Sequence, residues 1–258
     1  MKTNNFYILI TFVITLCLLS GCSGDDESVG APKVPPSADL IAKADQLFSE
    51  RKDLSKLREA IKTLAGARIN NLRNYEVEWK FARNNYFLGR HTEDEKERDA
   101  SLNNGKAAGK LAMQMEPNKP DGYFWYGANV GEQANRSPIV IAITSVGDIR
   151  SAMNKVIELQ PDYELASAYA VLGKIELETR LMGGDLKKAV EYLEKSLALG
   201  KGNGDARLYL AQAHLALNND AEAKRQLESV LQMKPDPAYL PEYDEQTAKA
   251  KQLLQTKF

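Results

Sequence analysis

A chain of 258 residues, 43% hydrophobic and 27% charged, is long enough for one sizeable domain with a continuous core. Its 34 Lys and Arg against 35 Asp and Glu leave no basic field of the kind that attracts nucleic acid. Both cysteines, Cys17 and Cys22, fall in the first 22 residues, which excludes disulfides and cysteine-ligated metal from the rest of the chain.

Residues 1–21 read as an address. Met1-Lys2 gives a short basic start, and the apolar run from Phe6 to Leu19 is shorter than the roughly 20 residues a membrane span needs. Leu19-Ser20-Gly21-Cys22 then places small residues before a cysteine and resembles a bacterial lipobox. That resemblance implies cleavage before Cys22, acylation of Cys22, and a chain held by lipid on a bacterial membrane, facing the periplasm. The alternative is a plain secretory signal followed by a chance cysteine. Lipidation has one further argument: it leaves no free thiol in an oxidising compartment. Residues 22–36 follow as a tether rich in Pro, Gly and acidic residues, with too little apolar content to order itself. Extended, it reaches on the order of 45 Å.

From Ser37 to Phe258 the apolar spacing is helical throughout. Leu40, Ile41, Ala44, Leu47 and Phe48 form one face, with Ser37 or Asp39 as its cap, and Leu57 to Arg68 give its partner helix. The next pair is Tyr75–Leu88 and Glu97–Met115, whose Gly105, Ala108, Gly109 and Ala112 make a stripe of small residues. Each glycine there costs a helix about 1 kcal/mol against alanine, so two of them point to tight helix contact. The third pair is Gly122–Ala134 and Pro138–Leu159, the fourth Tyr163–Leu181 and Asp185–Leu199, the fifth Asp205–Leu217 and Asp220–Met233. Tyr243–Phe258, apolar only at Leu253, Leu254 and Phe258, reads as a helix capping the end of the stack.

The repeat is written most plainly between Gly184 and Pro235. Ala189, Leu193, Leu197, Leu199 and Lys201 recur 34 residues later as Ala223, Leu227, Leu231, Met233 and Pro235. That period is the tetratricopeptide one. The expected fold is therefore all-α: a tetratricopeptide-like helical-repeat solenoid of five helix pairs plus a capping helix. Pro117, Pro161 and Pro235 each follow an apolar tail and stop a second helix. Their spacings leave extra residues around Ala134–Ser145 and Arg180–Gly184, which a solenoid is expected to place in loops on its binding side.

Few residues suggest chemistry. His91 lies in a charged stretch expected to be a loop, His214 at a packing position, and neither has a second ligand at metal spacing. No nucleophile has a recognisable partner, so no enzyme activity, metal or cofactor is expected. Gly200, Gly202 and Gly204 follow a helix rather than a strand, which removes the context of a phosphate loop. Gly183-Gly184-Asp185 reads as a turn that caps the next helix. The aromatic residues stand apart. Tyr123-Phe124-Trp125-Tyr126 spreads four rings over about 300° of a helix, more than one core face can take. Trp79, Phe81, Tyr86 and Phe87 do the same one unit earlier. First helices of such units line the concave groove, so Trp79, Tyr86, Trp125 and Tyr126, with Asn129 as a polar neighbour, form a candidate site for a small apolar ligand or a partner segment. The competing reading is that the rings fill an irregular core. The apolar run from Pro138 to Val146 is either deeply packed or a lip over a pocket.

The lipobox, the degenerate repeats, the helix Tyr123-Phe-Trp-Tyr-Gly-Ala-Asn-Val-Gly131, and Leu172-Gly173 followed by Gly183-Gly184-Asp185-Leu-Lys-Lys-Ala189 together resemble the T component of TRAP-type transporters. The resemblance runs over most of residues 40–235. It implies a periplasmic lipoprotein associated with a solute-binding subunit, as a trimer with a ligand-conducting pore. Arg207 and Lys201 stand where the repeat favours an apolar residue and a proline. A general scaffold lipoprotein assembling envelope proteins is the second reading.

Overall fold

The computed structural model describes residues 37–69, 71–137 and 139–258, and they belong to one compact unit. Residues 1–36, which hold the expected signal peptide, Cys22 and the expected tether, lie outside the described residues. Eleven α-helices, and no strand, occur among them: α1 (Ala38–Ser49), α2 (Leu54–Ile69), α3 (Tyr75–His91), α4 (Glu95–Met115), α5 (Pro120–Asn135), α6 (Ile139–Leu159), α7 (Tyr163–Glu178), α8 (Leu186–Leu199), α9 (Gly204–Ala216), α10 (Asp220–Gln232) and α11 (Leu240–Lys257). Five pairs and a final helix are therefore present, as the apolar spacing predicts.

Local chemistry sets the helix starts. The side chains of Asn74, Asp94, Asp185, Asn203 and Asn219 accept backbone N–H bonds at the starts of α3, α4, α8, α9 and α10. Pro120 sits in the first turn of α5, where its missing N–H costs nothing. Ser37 precedes α1 but does not cap it; its buried hydroxyl accepts instead from Asn74 Nδ2 at 2.7 Å, tying α1 to α3. The Gly183-Gly184-Asp185 turn forms as expected, with Gly183 at φ +102° and Asp185 capping α8.

Each helix packs on the next, and odd-numbered helices also meet one another, α3 on α5, α7 on α9 and α9 on α11. The core passes along the stack through shared helices: one cluster runs from Ile41 to Ile175, a second joins α7, α8 and α9 around Leu193, and a third joins α9, α10 and α11 around Leu227. The small-residue stripe of α4 lets two backbones touch. A Cβ on Gly109 would lie 2.8 Å from the backbone nitrogen of Tyr126, and one on Gly105 2.1 Å from Asn129 Oδ1.

Two expectations are corrected, the insertion in the third unit and the place of His91, while the insertion near residue 180 falls between helices as expected. The extra residues of the third unit lengthen α6 instead of forming a loop, and only residues 136–138 join α5 to α6. After Pro138 the stretch is apolar and free of breakers, so it continues as helix. Within the run 138–146, side chains 138–143 lie outside those described. The extra residues at 180–182 form a 3-10 turn that leaves Leu181 exposed. His91 is the last residue of α3 rather than part of a loop: its ring meets the Phe87 carbonyl at 2.8 Å and Glu245 at 2.6 Å.

That last contact reveals a second role for α11. Its C-terminal half seals the stack, with Ala250, Leu253 and Leu254 on Leu208, Ala211, Leu227 and Val230. Its N-terminal half crosses back to the first two pairs. Arg51 forks onto Glu242 (Nε to Oε1 2.7 Å, Nη2 to Oε2 2.6 Å) and donates to the Ala238 carbonyl. Lys52 pairs with Asp244, and Arg90 and His91 both pair with Glu245. Tyr239, just before the helix, donates to Glu164 at 3.0 Å. The start of α11 is thus a polar strap that closes the curved stack on itself.

The helix contact and the strap can each be tested. Gly109→Ala should destabilise by about 1–3 kcal/mol in denaturant unfolding, because the methyl group forces α4 and α5 apart. Gly147→Ala, where a Cβ meets nothing within 4 Å among the described residues, should instead stabilise by up to about 1 kcal/mol. The strap should also respond to pH. Burial disfavours the charged form of His91, but its bonds to Glu245 and the Phe87 carbonyl outweigh that and raise its pKa above 6.5. The bond from His91, aided by the charge of Arg90, holds Glu245 below 4.5. A raised histidine stabilises fully below its unfolded value and loses this as pH rises through the folded one. A lowered carboxylate does the reverse on acidification. The melting difference between wild type and His91→Gln should therefore peak between pH 4.5 and 6.5 and shrink on either side. With both partners partly exposed, the difference should stay within about 1 kcal/mol.

Candidate functional site

The strap roofs a chamber of about 800 Å³ on the concave side of the stack. Its walls come mainly from the inward faces of α1, α3, α5, α7 and α9, and α11 with the turn before it adds a further side, leaving the chamber partly open. One wall is a continuous aromatic sheet. Phe48 meets Phe87 edge-on with centroids 5.2 Å apart, and Phe87 and Tyr86 both meet Trp125, at 6.0 and 5.7 Å. Trp125 meets Phe124 at 5.0 Å, and Phe124 meets Tyr163 at 5.3 Å. These tilted and edge-to-face contacts are the arrangements aromatic rings favour, so the wall is stiff.

The structure brings together two of the five candidate residues, Tyr86 and Trp125. Trp125 is only 4% exposed, so it belongs to the core and to the chamber wall at once. Trp79 lies two turns away on the same stripe of α3, with the Arg83 guanidinium over both its ring and that of Phe48, and it does not line the chamber. Tyr126 points from the opposite side of α5 into an outer cleft beside Lys110 and Met113, its hydroxyl 3.4 Å from Asp148. At 100° per residue, consecutive Trp125 and Tyr126 cannot share a narrow face. Asn129 is fully buried; its Nδ2 donates to the carbonyls of Trp125 (2.7 Å) and Ala82 (3.1 Å) and so fixes α5 against α3.

The chamber's polar groups come largely from places with no local signal in the sequence. Glu164, Leu165 and Ala166 open α7 with φ of +47°, +57° and +57°, three consecutive left-handed residues. Each costs roughly 1–2 kcal/mol for an L-residue, so the neighbours must hold the turn. Asn203 Nδ2 donates to the Leu165 carbonyl at 3.0 Å, and Ser196 Oγ donates to that of Ala166 at 3.0 Å. Gly200 is needed for the same contact, since a Cβ there would fall 2.0 Å from the Leu165 carbonyl oxygen. The glycine-rich run 200–204, which lacks the context of a phosphate loop, is the cradle of this turn.

The turn aims Glu164 into the chamber. Burial raises its carboxyl above the ordinary value, opposed by the Tyr239 hydroxyl bond and the nearby charge of Arg83. Burial likewise raises Tyr86, whose hydroxyl accepts from Arg90 Nη1 at 3.0 Å, and it raises Tyr209 strongly. Among the described residues no three His, Cys, Asp or Glu side chains converge as metal ligands. The site offers an apolar and aromatic wall, fixed polar and charged groups, and partial shelter from water. That suits holding a guest.

Comparison with known proteins gives the chain its relatives. No curated protein matches the sequence. Among solved structures, a thermophilic TPR protein of Thermus thermophilus is similar, with a TM-score of 0.63 at 19% identity, covering 83% of this chain and 98% of that one. The MamA protein follows, at a TM-score of 0.48 and 15% identity over 85% of this chain and 97% of its own. The first of these supports the repeat fold. Residues 180–241 match the tetratricopeptide repeat model, the part of the chain where the 34-residue period is plainest. The first three pairs and the start of the fourth, residues 40–183, match another model, and since that match spans more than half of the sequence, the chain belongs to the family of regulator of microtubule dynamics proteins 1–3.

Proposed function

We propose that the protein is a non-catalytic, membrane-tethered binding protein that holds a small, predominantly apolar guest in its chamber. The carrying observation is the strap. In an open solenoid the concave groove is free to take a partner's helix or extended segment. Here the start of α11 occupies that path and leaves about 800 Å³, within the range of small-molecule sites. An aromatic wall beside fixed polar groups is what such sites use for affinity and orientation.

Acylation of Cys22 would fix the chain to a bacterial membrane with its folded part in the periplasm, and the tether would let the ring stand off the lipid. The motifs shared with the T component of TRAP-type transporters support a source for the guest: a solute-binding subunit docking on the ring, which would then act in uptake. Protein partners would use the outer surface. The cleft of Tyr126, Lys110 and Met113 favours the second reading, a scaffold lipoprotein that joins envelope proteins and carries no guest.

Native mass spectrometry of the full chain extracted from membranes separates the two. A guest should appear as added mass that leaves on denaturation. Gly131 lines the chamber, and among the described residues only Ile149 Cδ1 comes near its Cβ position, at 3.8 Å, so Gly131→Leu should project a side chain into the chamber and narrow it. It should abolish the added mass and keep stability, or raise it by up to about 1 kcal/mol. Trp125→Ala, by contrast, should cost about 3–5 kcal/mol, because its ring is core as well as wall. Undiminished guest in Gly131→Leu would reject the chamber, and no guest with partner capture intact would favour the scaffold.

A further inference from the structure

The charges around the chamber do not balance. Each of its four cations is committed to a carboxylate: Arg51 to Glu242, Arg83 to Asp45, Arg90 to Glu245, and Lys174 to Glu178. Among its acids, Glu132 pairs with Arg136, and Asp236 at the rim accepts the Ala238 N–H. Glu164 and Asp205 remain, and neither forms an ion pair among the described residues. Glu164 receives one hydrogen bond, from Tyr239, although it is largely withdrawn from water; Arg83 lies within its field but is paired with Asp45. Asp205 lies within the field of Arg90 but not in contact with it. A carboxylate in a sheltered cavity is costly unless it finds a cation. Glu164 is held there by three left-handed residues, and strain of that kind concentrates where a site needs a group fixed.

Resting on the reading of the chamber as a guest site, we infer that the guest is an organic amine on an apolar body. Its ammonium group would sit against Glu164, and its body against Trp125 and Phe124. The two halves of the site are adjacent in the fold, because Glu164 follows Tyr163, whose ring packs on Phe124. An ammonium group so placed gains the carboxylate, a contact that is stronger away from water, and it stays clear of Phe48 and Phe87, whose rings already carry the guanidinium groups of Arg51 and Arg83. An anionic guest would meet guanidinium groups already spent on other carboxylates.

Three isosteric probes test the charge: phenylbutylamine, phenylbutanol and phenylbutanoate, titrated calorimetrically into the full chain extracted in detergent. The amine should bind at least about tenfold more tightly than the alcohol, roughly 1.4 kcal/mol, and the acid should bind most weakly. Glu164→Gln keeps an acceptor for Tyr239 and should bring the amine to within about twofold of the alcohol, with alcohol binding retained; Asp205→Asn should have the smaller effect. Gly131→Leu should abolish binding of all three. An alcohol equal to the amine, or an acid tighter than both, would overturn the amine assignment while leaving the chamber in place, provided Gly131→Leu still blocks binding. A Glu164→Gln variant that kept the full amine preference would overturn the role of Glu164. Failure of all three probes to bind the wild-type chain would overturn the amine together with the chamber.

Discussion

Closure of the ring rests on one sheltered ion pair. Arg51 lies in the turn after α1, Glu242 in the first turn of α11, and 191 residues separate them. Their side chains keep only 6% and 19% of their exposure, so each charge depends on the other. Removing one partner would strand a buried charge, whereas the exposed Lys52–Asp244 pair beside it adds little. The chemistry of this contact matters more than its strength. The C-terminal half of α11 is bound by aliphatic side chains and is fixed. Its N-terminal half is bound by charges and hydroxyl groups, which water can replace.

The second constraint is the left-handed start of α7. It spans the passage from the first three pairs to the last two, and it is built by two distant stretches together. Residues 164–166 supply the unusual backbone, while Ser196, Gly200 and Asn203 supply the bonds and the clearance that keep it. The same turn presents Glu164 to Tyr239 at the end of the strap. Roof, turn and chamber therefore form one arrangement, and a change at Gly200 should be felt at the strap although it touches none of the strap's residues.

Much of this was legible in the sequence, for reasons that are local. Caps such as Asn74 and Asp185, the prolines at helix ends and the 34-residue period each act within one or two turns of chain. The Gly105–Ala112 stripe announced its close contact because a glycine inside a helix needs a reason. The site was only half legible. Tyr86 and Trp125 could be placed on first helices, but whether a ring faces core or chamber depends on the curvature of the whole stack, and Trp79 is cut off by an arginine whose rotamer no spacing reveals. The strap left no pattern at all. Arg51, Arg90 and His91 meet partners more than 150 residues away, and Glu242 and Glu245 look like ordinary solvated charges of a polar capping helix.

The central claim is that the chain's own C-terminal helix closes the concave side in solution. Double electron–electron resonance between spin labels at positions 46 and 240, both exposed and outside the strap contacts, measures that closure directly. The account predicts a single narrow distribution at short distance for the wild-type pairing, and a longer, broader one for Glu242→Gln. A broad, long distribution in the wild type, unchanged by Glu242→Gln, would contradict it.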